Sequence, residues 1–146
     1  MRRFDTVISN PPFGRATRTV NAPGYRGPRF EYHAIAVSAQ VARRGVFLLP
    51  QSSAPFRYSG RPGMEHDHAD EEYRRFHTST GITLEPSCGI DPSQYREHWH
   101  QPAIETEVVT CDFETANLTL QRRRASTVIS TRCSFARPGY SGSAAA

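Results

Sequence analysis

At 146 residues the chain has the length of one domain, since single domains commonly run about 100–200 residues, and a second complete domain is not expected. A hydrophobic fraction of 37% and a mean hydropathy of −0.59 are low for a fully packed globule, so part of the chain is expected as loop or disordered tail. All 18 basic residues are Arg, which reads as the codon bias of a G+C-rich genome, and the net charge is +4.

The charge is unevenly spread. Residues 1–62 carry ten Arg against Asp5 and Glu31, whereas residues 63–113 carry three Arg against eleven acids. A basic front half suits a polyanionic substrate. Cys88, Cys111 and Cys133 are odd in number and form no C-x-x-C pair, which points away from a disulfide framework or structural zinc site and toward a reducing cytoplasm. Neither the apolar run of a signal peptide nor a membrane-spanning stretch is present, so no membrane partner is expected.

In chain order, Phe4 to Ser9 reads as a short strand, β-branched in the middle and stopped by Asn-Pro-Pro. Residues 15–30 lack any periodicity and read as a long mobile loop. Glu31 to Arg44 reads as a helix, with Tyr32, Ile35, Ala36, Ala39 and Ala42 at helical spacing, an acid in the first turn, Arg43 and Arg44 complementing the dipole, and Gly45 as its stop. Val46 to Leu49 is a continuous apolar run closed by Pro50, as in a strand buried on both faces of a parallel sheet. This strand-helix-strand order is the βαβ unit of an α/β fold.

Residues 51–70 read as a second loop, Asp70 to Thr78 as a short helix, and Ile82 to Leu84 and Ile104 to Phe113 as strands. Asp91 to His100 has Tyr95 and Trp99 at an i, i+4 spacing and reads as irregular chain or a short helix. From Glu114 onward Ser, Thr, Ala and Arg dominate, so 1–113 is expected as the folded unit and 114–146 as a mostly disordered tail.

Residues 4–14, Phe-Asp-Thr-Val-Ile-Ser-Asn-Pro-Pro-Phe-Gly, resemble the target-amine-binding motif of N6-adenine DNA methyltransferases, bacteriophage-encoded ones in particular. The resemblance implies a partial Rossmann-like methyltransferase sheet with flanking helices. It also implies S-adenosylmethionine as methyl donor and DNA as partner. Asn10, Pro11, Pro12 and Phe13 would then be the catalytic residues, with Gly14 beside them at the substrate.

The chemistry fits those residue types. The exocyclic amine of adenine is a poor nucleophile because its lone pair is delocalised into the ring, so an enzyme must draw both N–H bonds toward acceptors. Asn10 offers a side-chain carbonyl and Pro11 a backbone carbonyl whose direction the next proline ring constrains. Phe13 offers a face for a base taken out of its stack, and Gly14 permits close backbone approach. Arg15, Arg18, Arg26 and Arg29 are candidate phosphate contacts.

In the family the donor is held mainly by a glycine-containing loop and an acidic residue before the motif. Here three residues precede Phe4, and neither Gly24-x-x-Gly27 nor Gly60-x-x-Gly63 follows a strand and opens a helix. The donor-binding residues are therefore unknown. The expectation is a second half-sheet, inactive alone, with an open edge at the motif strand and a second chain supplying the donor-binding half. Two other readings stand beside it: an RNA adenine or protein glutamine methyltransferase fragment, and a truncated, non-catalytic remnant or subunit.

Met64-Glu65-His66-Asp67-His68 and His98-Trp99-His100 read as solvated loop and polar turn, so no metal is expected. Phe56-Arg57-Tyr58 reads equally as a loop anchor or a nucleic-acid contact, and Arg122-Arg123-Arg124-Ala125-Ser126 as a solvated basic run, a kinase site or a nucleic-acid patch.

Overall fold

The computed structural model describes residues 4–90 and 104–116, arranged as a four-stranded mixed sheet with helices. Strand β1 is Phe4–Ser9, helix α1 Phe30–Val41, strand β2 Ala42–Pro50, helix α2 Glu71–Thr80, strand β3 Glu85–Pro86 and strand β4 Thr106–Asp112. A 3-10 turn, Gln51–Ser53, follows β2. The strand order is β1-β2-β4-β3.

The β1-α1-β2 unit has the parallel pairing expected of a βαβ crossover, with Phe4 opposite Ala42 and Ser9 opposite Phe47. The sheet is not parallel throughout, because β2 pairs antiparallel with β4 from Arg44↔Asp112 to Pro50↔Thr106. Nor is β2 buried on both faces: Phe47 and Leu49 are fully buried, while Val46 and Leu48 on the opposite face are only half-buried. The helix-covered face holds the core, where Phe47, Leu49, Val109 and Cys111 meet Tyr32, Ile35, Ala36, Tyr73 and Phe76. Tyr32 and Phe76 stack with ring centroids 4.6 Å apart, joining α1 to α2. Each such large side chain contributes about 1.5–3 kcal/mol by leaving water.

Helix α1 stops three residues before the expected end. Ala42, Arg43 and Arg44 belong to β2, because the ladder to β1 already claims Ala42 and Arg44, and β4 sets Asp112 across from Arg44. Gly45 is therefore a strand residue rather than a helix stop. A Cβ there would lie 2.3 Å from the Phe47 ring and 2.9 Å from that of Phe113, so the missing side chain makes room for both aromatics.

Helix α2 begins and ends on local signals. The Asp70 side chain caps it by accepting from the Tyr73 amide at 2.8 Å, and Gly81, at φ 70°, closes it. The strand expected over Ile82 to Leu84 is not formed. Both side chains are buried, but the Ile82 N–H donates to the Thr80 hydroxyl and the Leu84 N–H to the Tyr73 hydroxyl instead of to a ladder. Strand β4 matches its expected place within one or two residues. Phe113, at the expected boundary, is fully buried, and Ala116, three residues beyond it, is buried as well. The expected tail beyond Ala116, the Asp91 to His100 segment and Cys133 lie outside the described residues. Among those described, no helix is long and apolar enough to cross a membrane.

Candidate functional site

The Asn-Pro-Pro-Phe-Gly turn leaves the carboxyl end of β1, the end at which open α/β sheets hold ligands. Asn10 is exposed, and its carboxamide makes no hydrogen bond to any described residue. Pro11 is buried, Pro12 exposed and Phe13 half-buried. Gly14 adopts φ +72°, and no heavy atom lies within 4 Å of where its Cβ would stand. Its glycine character therefore answers to backbone conformation, and the space above it is open.

The peptide groups of Gly14 are held on both sides. Its N–H donates to Glu31 Oε2 at 2.8 Å, and its carbonyl accepts from the Phe30 N–H at 2.7 Å. The second bond supplies a partner for one of the amides that the start of a helix leaves unpaired. Glu31 is 1% exposed, and its other oxygen accepts from the Ser53 hydroxyl at 2.7 Å. The Ser53 carbonyl accepts from the Tyr32 hydroxyl at 2.7 Å, and Arg29 donates to that hydroxyl and pairs with Asp70. A continuous network thus runs from the cap of α2 through the first turn of α1 to the motif.

Burial pushes the Tyr32 phenol well above its usual range, and Arg29 only partly opposes this. Burial lowers the Arg29 guanidinium, but its bonds to Asp70 and Tyr32 outweigh that and hold it firmly charged. Both residues are fixed hydrogen-bonding parts rather than proton carriers.

Loop 15–29 has no regular structure, as expected, but it is anchored rather than loose. Ala22 and Tyr25 are buried, and the buried His33 ties them down. Its Nδ1 accepts from the Ala22 N–H at 3.1 Å while its Nε2 lies 2.8 Å from the Gly27 carbonyl, so the bonds select the Nε2-protonated tautomer. Arg18 also braces the loop, reaching Asn21 Oδ1 and the Gly27 carbonyl. Two of the four expected phosphate contacts, Arg18 and Arg29, are therefore engaged internally. Arg15 and Arg26 are exposed and form no ion pair with a described residue.

A second buried carboxylate organises the segment after β2. Glu107, fully buried, accepts from Gln51 Nε2 at 2.7 Å, from the Tyr58 N–H at 2.8 Å, and from the Ser59 hydroxyl at 2.9 Å. The Ser59 N–H is shared between its two oxygens. Phe56 is buried as a loop anchor. Glu65 pairs with Arg61 and His68, and among the described residues no three His, Cys, Asp or Glu side chains group to hold a metal. His98 and His100 lie outside those residues.

Sequence reading missed the roles of Glu31, Ser53, Glu107 and Ser59. Two of them carried a signal. Glu31 stands four residues before Ile35, on the buried face of α1, and Glu107 alternates with Val109 and Cys111 on the core face of β4. An acid in phase with a core stripe is a candidate buried anchor.

The outer edge of β1 pairs with no described strand. Ile8 is 81% and Phe4 54% exposed, and along α1 Val37 and Val41 also face solvent. A groove of about 730 Å³ runs between the loop and the outward side of α1, lined by Val20, Phe30, Ala34 and Val37 among others. Compared with known proteins, the chain matches no family model, no curated protein and no solved structure.

Proposed function

We propose that the turn at the end of β1 binds the exocyclic amine of an adenine in DNA for methyl transfer to N6. Asn10 and the Pro11 carbonyl are the two acceptors, Pro12 constrains them, and Phe13 stacks the base. The observation that carries the reading is the Asn10 carboxamide, exposed and unbonded to any described residue, on a turn held at both ends. An amide kept free of internal partners on a braced support is what an incoming NH₂ group requires. Gly14 leaves open space at the base, and Arg15 and Arg26 are the side chains free to meet phosphates.

The donor implied by the motif, S-adenosylmethionine, does not fit the described residues. Gly24 and Gly27 lie deep in the long loop between β1 and α1, and Gly60 and Gly63 in the long segment between β2 and α2, so neither pair forms a short turn leading directly from a strand into a helix. The reading therefore assigns donor binding to a further segment or chain that adds to the free edge of β1. The edge of β1, which pairs with no described strand, favours such an addition. The same observation favours a second reading, in which this chain is the non-catalytic binding part of an assembly.

The test is binding of single-stranded oligonucleotides that differ only in one central base, adenine or purine, which lacks the 6-amino group. The wild-type chain should prefer adenine by about tenfold, the size of two hydrogen bonds, and Asn10→Ala should lose most of that preference. Equal affinities for the two oligonucleotides refute the reading. RNA and glutamine-containing peptides serve as competing acceptors in the same assay.

A further inference from the structure

We infer that Glu31 is the positioning residue of the amine-binding turn, an inference that rests on the function proposed above. Between Ser9, held in the β-ladder opposite Phe47, and Gly14, held by Glu31 and Phe30, lie only Asn10, Pro11, Pro12 and Phe13. Two of those four residues have φ set by their rings. With both ends pinned, the directions of the Asn10 side chain and the Pro11 carbonyl follow from where Gly14 is placed. Among the described residues the Gly14 N–H makes the one polar contact between that end and the helix that uses a side chain, and its acceptor is a carboxylate buried to 1% exposure.

The carboxylate is itself fixed by a second element. Ser53, directly after β2, donates to its other oxygen, and Tyr32 holds the Ser53 carbonyl. The position of Gly14 is thus referred to the ends of both parallel strands. Among the described residues Glu31 pairs with no cation and accepts from one amide and one hydroxyl. Such an acceptor does not touch the base. It acts through Gly14 on the spacing between the two amine acceptors and the stacking ring.

The full chain and its Glu31→Ala, Glu31→Gln and Asn10→Ala variants are compared in two measurements. The first is the ratio of affinities for the adenine and purine oligonucleotides. The second is hydrogen exchange of the Gly14 amide followed by NMR. Glu31→Ala should expose the Gly14 amide and reduce a tenfold preference to less than about twofold, with purine affinity unchanged. Glu31→Gln can keep its carbonyl on the Gly14 N–H and should retain both the protection and the preference. A purely structural role would lower thermal stability but leave the ratio of the folded protein intact.

Should Glu31→Ala fail to fold, Glu31→Gln decides alone, since preference and Gly14 protection must then be kept or lost together. Preference retained without protection, or lost with protection intact, overturns the positioning role. A wild-type chain that binds both oligonucleotides alike overturns the amine-binding function and this inference with it. Preference present in wild type, lost in Asn10→Ala and kept in Glu31→Ala overturns the inference alone.

Discussion

Replacing Glu107 tests whether the buried carboxylates act as anchors, because its surroundings consist of donors only. In Glu107→Gln one oxygen becomes an NH₂ group. If the remaining oxygen keeps Gln51, Tyr58 and the Ser59 amide, the new NH₂ faces the Ser59 hydroxyl, which already accepts from the Ile90 N–H at 2.9 Å. The Ser59 hydroxyl proton then has no acceptor, and three charge-assisted bonds become neutral ones. One buried unsatisfied donor costs about 1–3 kcal/mol, and the weakened bonds add to it, so a loss of about 2–3 kcal/mol is expected. Glu107→Ala strands four donor groups and should cost about 3–5 kcal/mol, limited by water entering the space. Glu31→Gln disturbs only two donors and should cost about 1 kcal/mol. Urea unfolding at neutral pH measures all three. Glu107→Gln within about 0.5 kcal/mol of wild type, or less destabilising than Glu31→Gln, would refute the donor-only account of the site.

Two further outcomes separate surface from scaffold. Arg15→Ala and Arg26→Ala should each reduce the salt dependence of single-stranded DNA binding by about 0.7 in the log–log slope while leaving urea unfolding unchanged. Arg29→Ala should instead lower stability, since Asp70 and the Tyr32 hydroxyl lose their partner. For Asp112, burial raises the carboxyl, but the Glu114 and Thr115 amides and the Thr115 hydroxyl outweigh it and hold it below its usual range. A depressed folded value stabilises above the unfolded value of about 3.9, and that contribution fades as pH falls through the folded value. The stability gap between wild type and Asp112→Asn should therefore be constant from pH 7 to about 5 and shrink below about 4; a gap that grows on acidification contradicts the assignment.

What the sequence made legible follows from which interactions are local. β1, α2 and β4 were readable because their signals lie within the segment: β-branched residues before Asn-Pro-Pro, Tyr73 and Phe76 at an i, i+3 spacing, and the Val108-Val109 pair. The α1–β2 junction was not, because Ala42 to Gly45 has helical phasing of its own and is drawn into a strand only by two neighbours distant in sequence. Ile82 and Leu84 read as a strand for the converse reason: they are apolar and buried, but side-chain hydroxyls of Thr80 and Tyr73 take the amides that a ladder would need. The arginines show the same limit. Nothing in their spacing distinguishes Arg15 and Arg26 from Arg18 and Arg29, whose partners Gly27 and Asp70 are set by the fold.

The two buried acids explain how so polar a chain builds a defined turn. The segments that flank Phe13 and that follow β2 hold few apolar residues, and an acceptor-only group inside the core can collect their N–H and O–H donors at little conformational cost. Glu31 draws in Gly14 and Ser53, Glu107 draws in Gln51, Tyr58 and Ser59, and both lie toward the carboxyl end of the β1–β2 pair. That end is thus tied by side-chain bonds to two buried carboxylates. The outer edge of β1, by contrast, pairs with no described strand. A turn held on both sides beside an edge that pairs with no described strand is the arrangement that the proposed addition of a further strand requires.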